Sequence, residues 1–293
     1  SREEDMGHDY YRPAAIAKFR AAMADGVPSA FDVRLATLSV VESQMSRIGL
    51  SAPGPDSSIV QAAWDQPYGI PNYRVTGYRT PAMIPVSYWR SVGASQNGFF
   101  HECMIDELAH AAGADPVEMR LRMITHDASR KVLEAVAELA DWGAELPDGY
   151  GRGVAFVLSF GVPVAEIIEV AQTDGGIRIT NAWAAVDVGT ALDRRNIEAQ
   201  VQSGINFGLA AAMSGEITVK DGAVQQTNFH DYDSIRMHQA PPIAVRVLEH
   251  GSKIRGIGEP GLPPAAPALA NAIFAATGDR IRELPLNKHV QFV

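Results

Sequence analysis

The segment Gly256-Ile257-Gly258-Glu259-Pro260-Gly261-Leu262-Pro263-Pro264-Ala265-Ala266-Pro267 limits what this chain can fold into more than any other stretch. Each proline fixes its own φ and removes a backbone N–H donor, and the glycines accept angles and close approaches that a side chain forbids. No strand or helix runs through such a segment, so it must be a stiff turn. Pro263 to Gly278 then reads as a helix, with proline at its start, glycine at its end and Leu269, Ala270, Ile273 and Phe274 at helical spacing. The turn therefore delivers one carboxylate, Glu259, toward the positive end of an apolar helix. Simple charge placement at a helix start accounts for an acid here, and so does a base held on a rigid turn.

Upstream, residues 1–12 are charged and aromatic, and Ala14 to Ala24 reads as a short amphipathic helix ended by Asp25-Gly26. Phe31 to Val40 alternates with period two, as a half-buried strand does, 51–58 is loop by composition, and Pro67 to Val75 reads as an extended surface segment. Three helices follow. The first runs from Gly93 to Ala112 with Phe99, Phe100, Met104, Ile105, Leu108 and Ala112 as its apolar stripe, the second from Asp115-Pro116 to Ile124, and the third from Ser129 to Trp142. The character then changes. Gly153–Phe160, Val164–Ala171 and Ile177–Val188 read as strands, with a hairpin turn at Asp174-Gly175-Gly176; a helix from Asn196 to Ser214 follows, then a second hairpin at Asp221-Gly222 and a strand from Ile243 to Leu248.

A chain of 293 residues with 46% hydrophobic content can bury one large core or two medium ones. Its 34 acidic and 25 basic residues leave a net charge of −9, which argues against nucleic acid and anionic membranes as partners. Cys103 is the single cysteine, so neither an intrachain disulfide nor an iron–sulfur cluster can be built from this chain alone. No apolar run approaches a membrane span, and neither a P-loop nor a dinucleotide glycine pattern occurs. His230, Asp231, His238 and Glu249 fit no short metal-ligand spacing and are read as solvated or hydrogen-bonding residues.

Three motifs carry a family resemblance. Gly-Ile-Gly-Glu-Pro-Gly-x-Pro-Pro-Ala-Ala-Pro-Ala, followed by Asn271-Ala272-Ile273-Phe274 and Gly278-Asp279-Arg280-Ile281-Arg282-Glu283-Leu284-Pro285, resembles the C-terminal signature of the xanthine oxidase and aldehyde oxidase family of molybdenum hydroxylases. Trp89-Arg90-Ser91-Val92-Gly93, running into Phe100-His101-Glu102-Cys103-Met104, resembles the family's arginine loop and the helix after it; Val92 stands where the xanthine enzymes carry a phenylalanine, so the form is closer to the isoquinoline 1-oxidoreductase beta-subunit and aldehyde dehydrogenase branch. Ala199-Gln200-Val201-x-x-Gly204-x-x-x-Gly208 resembles the family's glutamine-and-glycine helix beside the pterin.

The resemblance implies an α+β fold of the xanthine oxidase type with two mixed α/β subdomain parts, 1–145 carrying the Trp-Arg loop and 146–293 carrying the Gly-x-Gly-Glu-Pro turn. It implies Glu259 as the catalytic base, with Arg90, Ser91, Gly93, Gln200, Gly204 and Gly258 as cofactor-binding residues. The metal would have no side-chain ligand from this chain, although Arg90 would lie near it. The cofactor implied is molybdenum-molybdopterin, the cytosine dinucleotide form being one candidate, with a [2Fe-2S] cluster on a partner chain. The reaction implied is oxidation of an aldehyde or an N-heteroaromatic substrate with oxygen from water. The family's Gly-Gly-Gly-Phe-Gly and Gly-Gln-Gly loops do not occur in these residues. The expected partners are therefore an N-terminal half of the molybdenum-binding subunit, an iron–sulfur subunit and an electron acceptor such as a cytochrome, in either the periplasm or the cytoplasm of a bacterium. Those missing loops also leave open a reading from another class, a cofactor-free paralogue serving as an assembly or interaction module.

Overall fold

The computed structural model describes residues 1, 4–5, 10–81, 83–250 and 253–293, so most of the opening stretch 1–9 lies outside the described residues. Two larger sheets and the helices packed on them build the molecule. The first sheet has the order β1-β2-β3, formed by Ala15–Ala24 (β1), Val27–Thr37 (β2) and Asn72–Arg79 (β3). β1 and β2 are an antiparallel hairpin, whereas β3 joins β2 in parallel after the excursion through Val40–Arg47 (α1).

β1 overturns the helix expected over Ala14–Ala24. Its alanines and methionine favour a helix on propensity, but its burial alternates residue by residue, which is the period of a strand. Asp25 and Gly26 sit at φ 52° and 72°. Two consecutive left-handed residues make the two-residue turn that matches strand twist, so Asp25-Gly26 closes a hairpin instead of ending a helix. Cross-strand pairing with β2 outweighs local propensity here. A second difference concerns Pro67–Val75. Tyr68 and Ile70 are core residues, and the strand starts only at Asn72.

The helices Val92–Ala111 (α2), Pro116–Met123 (α3) and Asp127–Leu139 (α4) fall where periodicity places them. Asp115 caps α3 by accepting from the Val117 and Glu118 N–H groups at 2.8 and 2.9 Å. The second sheet has the order β4-β5-β6-β9. Tyr150–Ser159 (β4), Val162–Thr173 (β5) and Gly176–Asp187 (β6) form an antiparallel meander, and Ile243–Leu248 (β9) lies parallel to β6 after Arg194–Ser214 (α5) and the small hairpin Val219–Lys220 (β7) and Ala223–Val224 (β8). Ala265–Thr277 (α6) ends at Gly278, φ 80°, as a left-handed cap.

Alternation sorts the second sheet's side chains into two cores. Val154, Phe156 and Ile167 join the core that contains α3, α4 and the first sheet, while Ala155, Val164, Ile168 and Ala184 join the core under α5 and α6. α2 serves both, through Ile105 and Leu108 on one side and Phe99 and Cys103 on the other. It is therefore buried nearly all round, polar residues included. Glycine makes the closest approach possible: a Cβ on Gly151 or Gly153 of β4 would collide with the backbone of α6. α6 and the turn before it are thus fixed tightly on the sheet.

Candidate active site

Three segments far apart in sequence meet at Arg90. Its Nε donates to the carbonyl of Gly258 at 2.7 Å, one terminal nitrogen donates to Ser203 Oγ at 3.0 Å, and the other to the Gln200 carbonyl and side-chain Oε1 at 3.3 and 3.2 Å. The neighbouring residue completes the junction. The Ser91 N–H donates to Glu259 Oε1 at 3.0 Å, and the Ser91 hydroxyl donates to the Glu259 carbonyl at 2.8 Å. The arginine loop, the glutamine helix and the glycine–proline turn therefore form one hydrogen-bonded cluster.

The local backbone explains how the cluster is held. Trp89 to Val92 is a turn closed by the Val92 N–H to the Trp89 carbonyl at 2.7 Å, and it leaves Ser91 at φ 73° and Val92 at φ 46°. Two consecutive non-glycine residues in the left-handed region store on the order of 1–3 kcal/mol each, strain of a kind that concentrates at functional sites. The turn is also the start of α2, for which Ser91 is the N-cap residue. Glu259 thus accepts its hydrogen bond at the N-terminal end of a 20-residue helix, where the aligned dipoles favour a negative charge. The sequence places Glu259 at the start of its own helix, but α6 begins only at Ala265, after a turn in which the Leu262 N–H donates to the Glu259 carbonyl at 3.1 Å.

Electrostatically, the guanidinium of Arg90 feels the charge of the Glu259 carboxylate without a direct hydrogen bond to it. Burial pulls the Arg90 pKa below the ordinary arginine value, and the nearby Glu259 charge opposes that shift. Gln200 uses its oxygen on Arg90, so its Nε2 donors point elsewhere, and Glu259 Oε2 has no partner among the described residues. Gly258 is exposed, with open space where a Cβ would stand.

These donors suit an oxyanion-rich cofactor resting on the outer side of the cluster: one cation, one free amide and an open glycine. Ser91, Gly93 and Gly204 are placed differently. Ser91 is fully buried with both polar groups spent on Glu259. A Cβ on Gly93 would collide with the Ser58 carbonyl, and one on Gly204 would come within 2.8 Å of the Gly261 backbone. These residues set the spacing of the loops. Among the described residues no group of three or more His, Cys, Asp and Glu side chains could hold a metal ion. Glu249 is instead paired with Arg194, and His230 is an exposed neighbour of Asp231.

Ser203 and Phe207 belong to the same site, and no sequence motif marks them. Both share a face of α5 with Gln200, at i+3 and i+7, so helical spacing from Gln200 is the available signal. A cavity of about 510 Å³ lies elsewhere, between the end of α5 and residues 287–292, and contains none of the cluster.

Known proteins resemble this chain in sequence and in fold. Residues 88–241 and residues 1–124 each match a family of the molybdopterin cofactor-binding domain. The chain is 30% identical to the beta subunit of isoquinoline 1-oxidoreductase from Brevundimonas diminuta, across 98% of this chain and 38% of that protein. It is also 30% identical to a nicotinate dehydrogenase subunit of Pseudomonas putida, across 75% of this chain and 20% of the relative, and 26% identical to a membrane-bound aldehyde dehydrogenase of Gluconacetobacter polyoxogenes, across 98% and 41%. It therefore spans about two fifths or less of these relatives. Quinoline 2-oxidoreductase from Pseudomonas putida 86 shares the fold with a TM-score of 0.77 at 13% identity, over 98% of this chain and 62% of that one. The aldehyde oxidoreductase of Desulfovibrio gigas does so at 0.76 and 14%, over 97% and 49%. With two matched domain families, similar relatives and the expected α+β fold in agreement, the chain belongs to the molybdopterin cofactor-binding family, as a segment of a molybdenum-binding subunit of the xanthine oxidase type.

Proposed function

We propose that this chain supplies the base and a portion of the cofactor cradle of a molybdenum hydroxylase that oxidises an aldehyde or an N-heteroaromatic compound, active only with the remainder of the subunit. The observation that carries the reading is the bond from the Ser91 N–H to Glu259 Oε1, which fixes the carboxylate on the arginine loop and leaves its other oxygen without a partner among the described residues. Similarity to proteins named for isoquinoline, nicotinate and aldehyde oxidation supports the substrate classes. When bound, the molybdenum centre supplies the oxidising chemistry.

The chain's own residues do the rest. Glu259 takes up a proton at Oε2, on the side away from Ser91. Arg90, Gln200 and Gly258 would hold the cofactor, with the Gln200 amide as a donor to an anionic oxygen, and Ser91, Gly93 and Gly204 keep the three loops at their spacing. Arg90 would lie near the metal without ligating it. With the chain divided into 1–145 and 146–293, either side contributes half of this junction. A [2Fe-2S] partner would carry the electrons away toward an acceptor such as a cytochrome, and the cytosine dinucleotide is one candidate form of the cofactor.

The test is co-expression with the upstream half of the subunit and its iron–sulfur partner. Roughly one molybdenum per complex is expected, and Glu259→Gln is expected to keep the metal while lowering turnover by about 10²–10⁴-fold, the range of a principal acid–base group. Undiminished turnover in that variant removes Glu259 from the mechanism. A complex that assembles without molybdenum supports the cofactor-free module instead.

A further inference from the structure

A side chain that the mechanism does not use stands at the edge of the cluster. Phe207 lies one turn beyond Ser203 on α5, and it keeps 44% of its surface exposed while its neighbours Ile205, Gly208 and Leu209 are buried. It does not serve the core. Its ring stacks on Trp89 with centroids 5.0 Å apart and planes 26° from parallel, and the Arg90 guanidinium carbon lies 6.0 Å from its centroid. Trp89 is backed in turn by Arg12, whose guanidinium carbon sits 4.2 Å from the indole centroid and whose terminal nitrogen donates to Ser95 Oγ at 3.1 Å. Arg12, Trp89 and Phe207 thus form a braced stack, ending in an exposed ring beside the arginine that holds Gln200 and Gly258.

An aromatic ring has only two side-chain torsions to immobilise, and aromatic pairs prefer offset stacking at centroid distances of about 4.5–7 Å. Trp89 backs one side of Phe207, and much of the remaining ring surface is open. From this geometry we infer that Phe207 is a specificity-determining residue, the platform on which a planar aromatic substrate stacks as its reactive carbon approaches the Glu259 site. The inference rests on the proposed reaction and narrows it, favouring N-heteroaromatic over aliphatic substrates. An aliphatic aldehyde has no ring to stack and gains little from the platform.

The experiment compares the assembled enzyme with Phe207→Leu, which keeps apolar bulk and removes the ring, on quinoline and on butanal. The ratio of the KM for quinoline to that for butanal is expected to rise roughly tenfold, the scale of one aromatic pair. In the isolated chain, quenching of tryptophan fluorescence by quinoline is expected to weaken in the variant, since Trp89 lies directly behind the platform. An unchanged KM ratio overturns the inference while leaving the proposed reaction intact. So does failed assembly with unchanged quenching, which makes Phe207 an interface residue. Wild-type enzyme inactive on both substrates removes the reaction and the inference together.

Discussion

Two arginine–glutamate constellations in this molecule use the same side chains to opposite ends. In the first, Arg120 and Glu102 are both fully buried, with Arg120 Nε donating to Glu102 Oε2 at 2.8 Å. The Phe156 N–H and the Tyr68 hydroxyl complete the carboxylate at 2.9 and 2.8 Å, and His101 bonds Tyr73 at 2.8 Å. In the second, Arg90 bonds backbone carbonyls and neutral side chains, and Glu259 takes one backbone N–H and keeps an oxygen unpartnered among the described residues. A carboxylate whose acceptor sites are satisfied by its own fold is a rivet, whereas one left partly unpaired beside solvent is available for chemistry. Paired charges alone do not mark a site; unspent valence at a solvent-accessible position does.

The contrast can be broken experimentally, beginning with its larger side. Arg120→Leu leaves Glu102 buried and unpaired and should cost about 3–5 kcal/mol in urea unfolding, whereas Arg90→Leu, at a half-exposed position, should cost about 1 kcal/mol. Comparable losses would erase the distinction. Gly204→Ala sharpens it from the framework side, since the added carbon meets Gly261 and should cost about 1–3 kcal/mol by overpacking.

The pH dependence separates a third carboxyl from both. Burial tends to raise the Glu102 pKa, but Arg120 and its other donors hold it down at about 2 against an ordinary 4.5. Its stabilisation is therefore complete above about pH 4.5 and lost as pH falls toward 2. Glu166, at the centre of β5 between Ala155 and Ala184, has both oxygens buried with no partner among the described residues, and burial pushes its pKa well above 4.5. Its sign is reversed: the protonated form is tolerated, and stability is lost as pH rises above 4.5. Glu166→Gln should flatten that slope, and Glu166→Met should raise stability at neutral pH by about 1–2 kcal/mol. The smallest effect belongs to Glu259→Gln, expected within about 0.5 kcal/mol of the parent in unfolding because Gln still accepts from Ser91. A large loss there would class Glu259 with Glu102.

Much of this is legible in the sequence because its causes are local. The Asp115-Pro116 helix start, the β-branched runs of β4 to β6 and the Gly278 stop each carry their own signal. The motif residues Arg90, Gln200 and Glu259 are named by resemblance, and the structure joins their three segments in one hydrogen-bonded cluster, Arg90 to Gln200 and Gly258 directly and Glu259 through Ser91. β1 reads wrongly as a helix because propensity belongs to one segment, whereas a strand is decided by the partner it pairs with. Tyr68 and Ile70 read as surface because nothing in an extended segment tells which side the core will cover.

The sequence by itself determined that a glycine–proline turn would present Glu259, since prolines and glycines restrict the backbone whatever surrounds them. Only the tertiary structure decided which helix that carboxylate addresses. Ser91 and Glu259 are 168 residues apart, and their bond exists because Gly93 and Gly204 let the arginine loop and α5 close on their neighbours, a matter of long-range packing that no local pattern encodes.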